Sequence, residues 1–220
     1  MIVVTGDMHG DINRFKDPKI RRLKKDDYLI ICGDFGFIWD GSKAEQAMLK
    51  KIGKMRFATL FIDGTHENFE MLSEYPTLEM FGNKVRHISG KLYYLMRGGV
   101  YNIDNQKVFA LGGGESSDFD MREEGKTWWR CELPTMEELE NAESELKKAE
   151  MNVDYIITHD APGMDKGFIN MDDHYRNHLH AFLDRIAREC RYKQWLFGCY
   201  HIDKRISHSH IAVFKNTIKL

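Results

Sequence analysis

The sequence is poor in cysteine, has no long apolar run and carries almost no net charge. Its four cysteines lie far apart without a Cys-x-x-Cys pair, which is too few for a disulfide scaffold and favours a reducing compartment. No apolar stretch approaches the roughly 20 residues of a transmembrane helix. The first residues also lack the charged and apolar regions of a signal peptide. We therefore expect a cytoplasmic protein without a membrane partner.

The charge balance bears on nucleic acids as possible partners. The chain has 32 Lys and Arg residues against 34 Asp and Glu residues, a formal net charge of -2. Such a chain has no broad positive surface for a nucleic-acid backbone, which argues against stable nucleic-acid binding. No linker, internal repeat or low-complexity stretch divides the 220 residues. We therefore expect a single domain over residues 1–220.

Strand-like and helix-like segments alternate in the first third of the chain. Three apolar runs (residues 2–5, 28–32 and 59–62) read as strands, and the helical segment between the last two begins with Ser42 and Glu45 at capping-box spacing. This βαβαβ order predicts a parallel sheet with right-handed crossovers.

Short strand-like runs follow one another over residues 85–111, which indicates hairpins in a second sheet. A charged helix is predicted over residues 135–150 and another near residues 178–190. Strands at residues 155–158 and 195–197, with a closing hairpin, complete the chain. The sequence thus predicts an α/β fold in which two packed β-sheets are flanked by helices.

Potential metal ligands follow five of the predicted strands. In open α/β sheets, ligands bind beyond the carboxyl ends of the strands, so we expect these residues to converge on one site. Asp7 and His9 are two residues apart and project to the same side of an extended backbone. Asp34 ends a buried-looking run, where a carboxylate needs a counter-charge such as a metal ion. The five segments are Asp7-Met8-His9, Gly33-Asp34, Gly64-Thr65-His66-Glu67, His159-Asp160 and Gly198-Cys199-Tyr200-His201.

The order of these motifs resembles that of the calcineurin-like metallophosphoesterases, which carry Asp-x-His, Gly-Asp, Gly-Asn-His-Glu, a later His and Gly-His-x-His. Residues 64–69, 96–98 and 111–117 also resemble small bacterial and phage phosphoesterases of uncharacterised substrate. The Gly-Asp-x-x-Asp-Arg-Gly signature of the protein-phosphatase branch is absent. The resemblance implies two mixed sheets in a four-layer αββα sandwich. It also implies hydrolysis of a phosphomonoester or phosphodiester by a metal-bound hydroxide.

Positions in the motifs assign roles to individual residues through this resemblance. It implies one or two divalent ions, chosen among Mn, Fe, Zn and Ni, with Asp34 bridging both. His66 matches a histidine that stabilises or protonates the leaving oxygen and does not bind metal. The implied ligands are Asp7, His9, Asp34 and His201 for the first ion, and Asp34, Thr65, His159 and Cys199 for the second.

Two of the implied ligands depart from the family pattern. Thr65 stands in place of the family's Asn, and Cys199 in place of the first His of Gly-His-x-His. A hydroxyl is a weaker ligand than an amide carbonyl, and a thiolate suits Zn²⁺ better than Mg²⁺ or Mn²⁺. The second ion is therefore expected to be weaker or more selective. The alternative is a non-catalytic protein that binds a metal or phosphate ligand and retains the fold.

Two arginines are candidates for substrate contacts. Arg97 and Arg122 can bind phosphoryl oxygens in bidentate fashion, and Arg122 follows a glycine-rich loop. Trp128 and Trp129 either close a pocket over the substrate or pack the two sheets. The expected partners are a phosphorylated small molecule, protein or nucleotide.

Five further histidines are interpreted as structural. His174, His178 and His180 are expected at a helix start and on its surface, because no Glu follows His174 as a zinc-protease motif requires. His208 and His210 alternate in the terminal hairpin and are expected on an exposed edge.

Overall fold

The first sheet is built around short apolar strands that lie side by side. A computed structural model describes residues 1–116, 118–170 and 175–220. In spatial order, the strands of this sheet are β13 (Thr217–Lys219), β1 (Ile2–Thr5), β2 (Tyr28–Ile31), β3 (Ala58–Phe61), β6 (Leu92–Leu95), β5 (Asn83–Ser89) and β4 (Thr77–Met80). The central pairs β1–β2 and β2–β3 are parallel, as the βαβαβ order predicted, and both edges are antiparallel.

The second sheet has the same mixed design. Its strands, in spatial order, are β11 (Lys204–Arg205), β12 (His210–Ala212), β10 (Gln194–Phe197), β9 (Tyr155–Thr158), β8 (Gln106–Leu111) and β7 (Gly99–Ile103). β9 pairs in parallel with both β8 and β10, whereas β7 and β11 run antiparallel at the edges. Two mixed sheets in an α/β fold are therefore confirmed.

The strands of residues 85–111 are divided between the two sheets, which corrects the predicted single hairpin array. β5 and β6 form a hairpin in the first sheet, where β6 lies parallel to β3. β7 and β8 form a hairpin in the second sheet. The apolar periodicity of a strand indicates which of its faces is buried. It does not indicate which strand lies beside it, and here the neighbours are the distant strands β3 and β9.

Helices cover the outer faces of both sheets. The Ser42 hydroxyl accepts the backbone N–H of Glu45, and Thr135 and Glu138 form a reciprocal capping box, so both predicted helix starts are confirmed. The helices are α1 (Pro18–Arg21), α2 (Lys43–Gly53), α3 (Phe69–Glu74), α4 (Met136–Lys148), α5 (Gly163–Ile169) and α6 (His178–Glu189), with short 3-10 turns at Ile12–Lys16, Phe119–Met121 and Arg130–Glu132. None of the helices in the described ranges has the length and apolarity needed to cross a membrane.

Three apolar cores separate four layers. Between the first sheet and its helices, the rings of Phe35 and Phe61 stack with centroids 4.2 Å apart. Between the two sheets, Val4 packs in a core with Leu196. Between the second sheet and its helices, Phe182 lies in a third core. This arrangement is the predicted αββα sandwich.

Candidate metal centre

Four side chains with metal-binding atoms meet where strands of the two sheets end. One ligand atom from each of Asp7, His9, Asp34 and His201 lies within 4.8 Å of all the others. The Nε2 atoms of His9 and His201 are 2.9 Å apart, and Nε2 of His201 is 3.2 Å from Oδ2 of Asp7. Both carboxylates are buried, whereas the side chains of His9 and His201 are 32% and 51% exposed. The carboxylate side of the cluster is thus enclosed by protein, whereas the imidazole side is open to solvent.

The backbone that carries these side chains is tightly turned. His9, Asp34 and His201 have φ values of 46°, 43° and 52°, in the left-handed region that few residues other than glycine adopt. The loops of His9 and Asp34 touch, because a Cβ on Gly10 would lie 2.7 Å from the carbonyl oxygen of Gly36. Such conformations cost free energy and recur at functional sites, where the surrounding structure maintains them.

Asp34 joins three segments of the site. Its Oδ1 accepts the backbone N–H groups of Thr65 at 2.6 Å and His66 at 2.9 Å, and its Oδ2 lies 3.0 Å from Nδ1 of His66. Burial alone would raise the pKa of Asp34, but the nearby imidazoles of His159, His66 and His9 lower it further than burial raises it. The carboxylate is therefore held in its ionised, ligand-competent form.

His159 is fully buried and points one ring nitrogen into the site. Its Nδ1–H donates to the carbonyl oxygen of Cys32 at 3.0 Å, so Nε2 is the ring nitrogen that can bind a metal ion once it is deprotonated. Nε2 lies 3.5 Å from Oδ1 of Asp34. Neither Nε2 of His159 nor Oδ2 of Asp7 makes a well-aligned hydrogen bond within the described residues, although Nε2 of His201 lies 3.2 Å from the latter.

Buried polar atoms without partners are costly, by about 1–3 kcal/mol each. Divalent ions would satisfy both atoms, and a backbone carbonyl behind a histidine is the usual way to orient a metal-binding imidazole. By the chemistry of the donors and by these two orphaned atoms, the residues present fit a divalent cation.

The sequence matches a known family over nearly its whole length. A sequence model described as calcineurin-like phosphoesterase matches residues 1–211 of the 220. The chain belongs to the calcineurin-like phosphoesterase family. A comparison with curated proteins gave no match. Membership of this family of phosphoesterases agrees with the two-sheet fold and with the ligand cluster at the strand ends.

The implied second ion of this calcineurin-like chain has a less complete set of donors. Neither His159 nor Cys199 belongs to the four-residue cluster, which was found among residues 1–116, 118–170 and 175–220. The Thr65 hydroxyl lies 3.2 Å from Nδ1 of His66. Burial raises the pKa of the Cys199 thiol to about 11, so the thiol is protonated unless a metal displaces its proton. The departures at Thr65 and Cys199 thus both lie among the donors implied for the second ion, outside the four-residue cluster.

The centre is assembled from both sheets. Asp7 and Asp34 follow β1 and β2 of the first sheet, and His159 and His201 follow β9 and β10 of the second. The backbone N–H of Cys199 donates to Oδ1 of Asp7 at 3.1 Å and joins the two groups directly. The ligands therefore meet across the junction of the sheets.

The structure separates the two candidate arginines. The Nη2 atom of Arg122 lies 3.4 Å from Nε2 of His66, so this residue reaches the centre. The Arg97 side chain is 7% exposed, and its guanidinium lies 2.7 Å from Asp63 and 3.1 Å from Glu138. Because Arg97 also donates to two backbone carbonyls, its N–H groups are committed to protein acceptors. We do not retain it as a phosphate ligand.

Three residues to which the sequence analysis assigned no individual role support the ligand loops. The Arg14 guanidinium donates to the carbonyl of Asp7 at 2.6 Å. The buried carboxyl of Glu67 accepts the backbone N–H of Phe35 at 2.6 Å. Asn68 donates its side-chain amide to the carbonyl of Trp39 at 2.8 Å. Glu67 and Asn68 adjoin the Gly-Thr-His segment, which is a usable signal, but nothing in the sequence marks Arg14.

Two histidines predicted at the surface are buried. His180 is 2.9 Å from Asp160, and His210 pairs with Asp165. Each carboxylate accepts a hydrogen bond from a buried ring nitrogen that would otherwise need water as its partner. His178 and His208 are exposed, as expected, whereas His174 and Ser117 lie outside the described residues. Trp129 is buried and its ring lies 5.6 Å from that of Trp39, which favours a packing role over that of a lid.

Proposed function

We propose that the protein is a metal-dependent hydrolase of a phosphomonoester or phosphodiester. The observation that carries the proposal is the convergence of Asp7, His9, Asp34 and His201 within 4.8 Å of one another, in a calcineurin-like phosphoesterase. The substrate would be a phosphorylated small molecule, protein or nucleotide. When bound, divalent ions (Mn, Fe, Zn or Ni) polarise the phosphoryl group and lower the pKa of an attacking water.

His66 is the proposed general acid. It lies outside the ligand cluster, its Nδ1 faces the Asp34 carboxylate, and its side chain is 38% exposed. Asp34 thereby orients the ring so that Nε2 faces the open side of the centre, where Arg122 lies. Once Arg122 has turned from Nε2 to a phosphoryl oxygen, a protonated Nε2 would pass its proton to the departing oxygen, a step typically worth 10²–10⁴-fold in rate. Arg122 would bind a phosphoryl oxygen.

A second candidate function is non-catalytic binding of a metal or phosphate ligand. It is favoured by Thr65 and Cys199, which weaken the donor set of the second ion while the first set is complete. One ion alone would hold a phosphate group without the paired clamp that in-line displacement uses.

Metal analysis combined with a panel of phosphomonoesters and phosphodiesters, with added Mn²⁺, Ni²⁺ or Zn²⁺, distinguishes the two functions. The hydrolase should turn over at least one ester and lose that activity in Asp7→Asn, whereas the exposed His208→Ala control should retain it. Metal binding without hydrolysis of any ester would overturn the proposal and support the binding protein.

Three further predictions accompany this function. We propose that residues 1–220 act as one domain, that the protein is cytoplasmic, and that it neither binds membranes nor forms stable complexes with nucleic acids. The formal charge of -2 supports a substrate with few phosphates over a polymer that must be gripped at many.

A further inference from the structure

An open pocket of about 280 Å³ lies beside the candidate metal centre. Its lining includes Gly10 and Gly36, which are one residue from His9 and two residues from Asp34. The other apolar lining comes from Phe37, Trp39, Ala44 and Met48. The pocket therefore adjoins the two loops that carry metal-binding side chains.

We propose that this pocket binds the organic part of the leaving alcohol and selects phosphoesters in which that part is a flat ring. The inference rests on the proposed hydrolase function and adds a substrate class to it. Trp39 and Met48 are the proposed specificity-determining residues.

The pocket wall and the segment of the proposed general acid are joined by hydrogen bonds. The wall that carries Trp39 is tied to the segment of His66, because Asn68 donates its backbone N–H to Ile38 at 3.1 Å and its side-chain amide to Trp39 at 2.8 Å. His66 is the proposed donor to the leaving oxygen. In the proposed binding mode, the carbon skeleton of the leaving alcohol extends toward Trp39.

The aromatic wall is already in place. The Glu45 carboxylate accepts the backbone N–H groups of Trp39 at 2.7 Å, Asp40 at 2.8 Å and Gly41 at 3.2 Å. The Trp129 ring meets Trp39 edge-on at 5.6 Å. Trp39 is half-buried, so part of its ring is fixed by the protein and part is accessible. A preorganised aromatic surface loses little entropy when a ring stacks on it.

Size and charge identify the occupant as a ring. A cavity of about 150 Å³ holds benzene, so about 280 Å³ accommodates one or two fused rings. The lining residues include Asp40 and Glu45, and none of the described lining residues is Lys or Arg. Two carboxylates without a basic partner repel a phosphate group, which leaves the uncharged organic part as the ligand.

The test compares two primary-alcohol esters, 2-naphthylmethyl phosphate and isobutyl phosphate, with Mn²⁺-loaded protein. The ratio of their kcat/KM values should favour the naphthyl ester in the wild type and fall roughly three- to tenfold in Trp39→Ala and in Met48→Ala. Met164→Ala, a matched methionine on α5 that is 45% exposed, should leave the ratio unchanged.

Calorimetric binding of the corresponding phosphonates, which are not hydrolysed, gives a readout independent of turnover. The naphthyl phosphonate should bind more tightly than the isobutyl phosphonate, and Trp39→Ala should abolish the difference. Equal affinities in the wild type would overturn the pocket assignment even if both esters are hydrolysed. Discrimination in binding without any hydrolysis would instead contradict the proposed function and leave the pocket assignment standing.

Discussion

The Nδ1 atom of His66 lies 3.0 Å from Oδ2 of Asp34, so a residue outside the ligand cluster is held by a residue inside it. The pairing sets the direction of the imidazole and leaves Nε2 on the open side. The candidate ligand Asp34 thereby orients the proposed general acid His66.

Replacement of His66 by alanine should lower kcat by roughly 10²–10⁴-fold, the usual loss when a general acid is removed. The metal content should stay at the wild-type level, because Asp7, His9 and His201 are unchanged. Steady-state kinetics and metal analysis measure the two effects, with His208→Ala as the exposed control. Loss of metal from the His66 variant would show that this residue is a ligand.

Restoring the family ligands should strengthen the second ion. Thr65→Asn combined with Cys199→His supplies an amide carbonyl and an imidazole in place of a hydroxyl and a thiol of raised pKa. Cys199 has a φ of 67°, a conformation in which histidine is tolerated better than most residues. Calorimetric titration with Mn²⁺ should show two phases in the wild type, the weaker of which tightens in the double variant. Two equally tight Mn²⁺ sites in the wild type would refute this asymmetry.

Arg97→Ala should destabilise the fold by about 3–5 kcal/mol, because Asp63 would be left as a buried charge without its partner. Arg122→Ala, in contrast, should reduce kcat/KM and leave the free energy of unfolding near that of the wild type. Urea unfolding and kinetics of both variants measure these effects, and Arg130→Ala, 81% exposed, serves as the control. A stable Arg97→Ala protein with weakened substrate binding would restore the original phosphate-contact hypothesis.

Glu67→Ala should cost about 1–3 kcal/mol, since the backbone N–H of Phe35 would lose its buried acceptor. Burial, with a contribution from Asp34, raises the pKa of Glu67 and favours its neutral form. Glutamine keeps a carbonyl acceptor of similar shape, so Glu67→Gln should be milder than Glu67→Ala. Thermal unfolding compares them with the exposed control Glu140→Gln. Equal losses in both variants would argue that the charge of Glu67 is required.

The sequence predicted what depends on local pattern. The strand ends that carry Asp7, Asp34 and His159 follow apolar runs, and the helix start at Ser42 follows a capping rule, so short segments contain the needed information. Ligands at the ends of parallel strands meet by geometry alone.

The predictions that were wrong all concern residues or strands whose partners are distant in the sequence. Arg97 pairs with Asp63 across a separation of 34 residues, and His210 pairs with Asp165 across a separation of 45 residues. No periodicity in either segment identifies these pairs. The division of the hairpins between the sheets also depends on distant partners, because β6 pairs with β3 and β8 pairs with β9.

Because Asp7 follows a strand of one sheet and His201 follows a strand of the other, metal binding at this site would contribute to the stability of the fold. An ion held by both side chains cross-links the two layers and binds the native state in preference to the unfolded chain. By mass action, a free ion concentration 100 times Kd would add about 2.7 kcal/mol to the free energy of unfolding. Thermal stability should therefore rise with metal concentration, and chelation should loosen the junction between the sheets before it affects their outer helices.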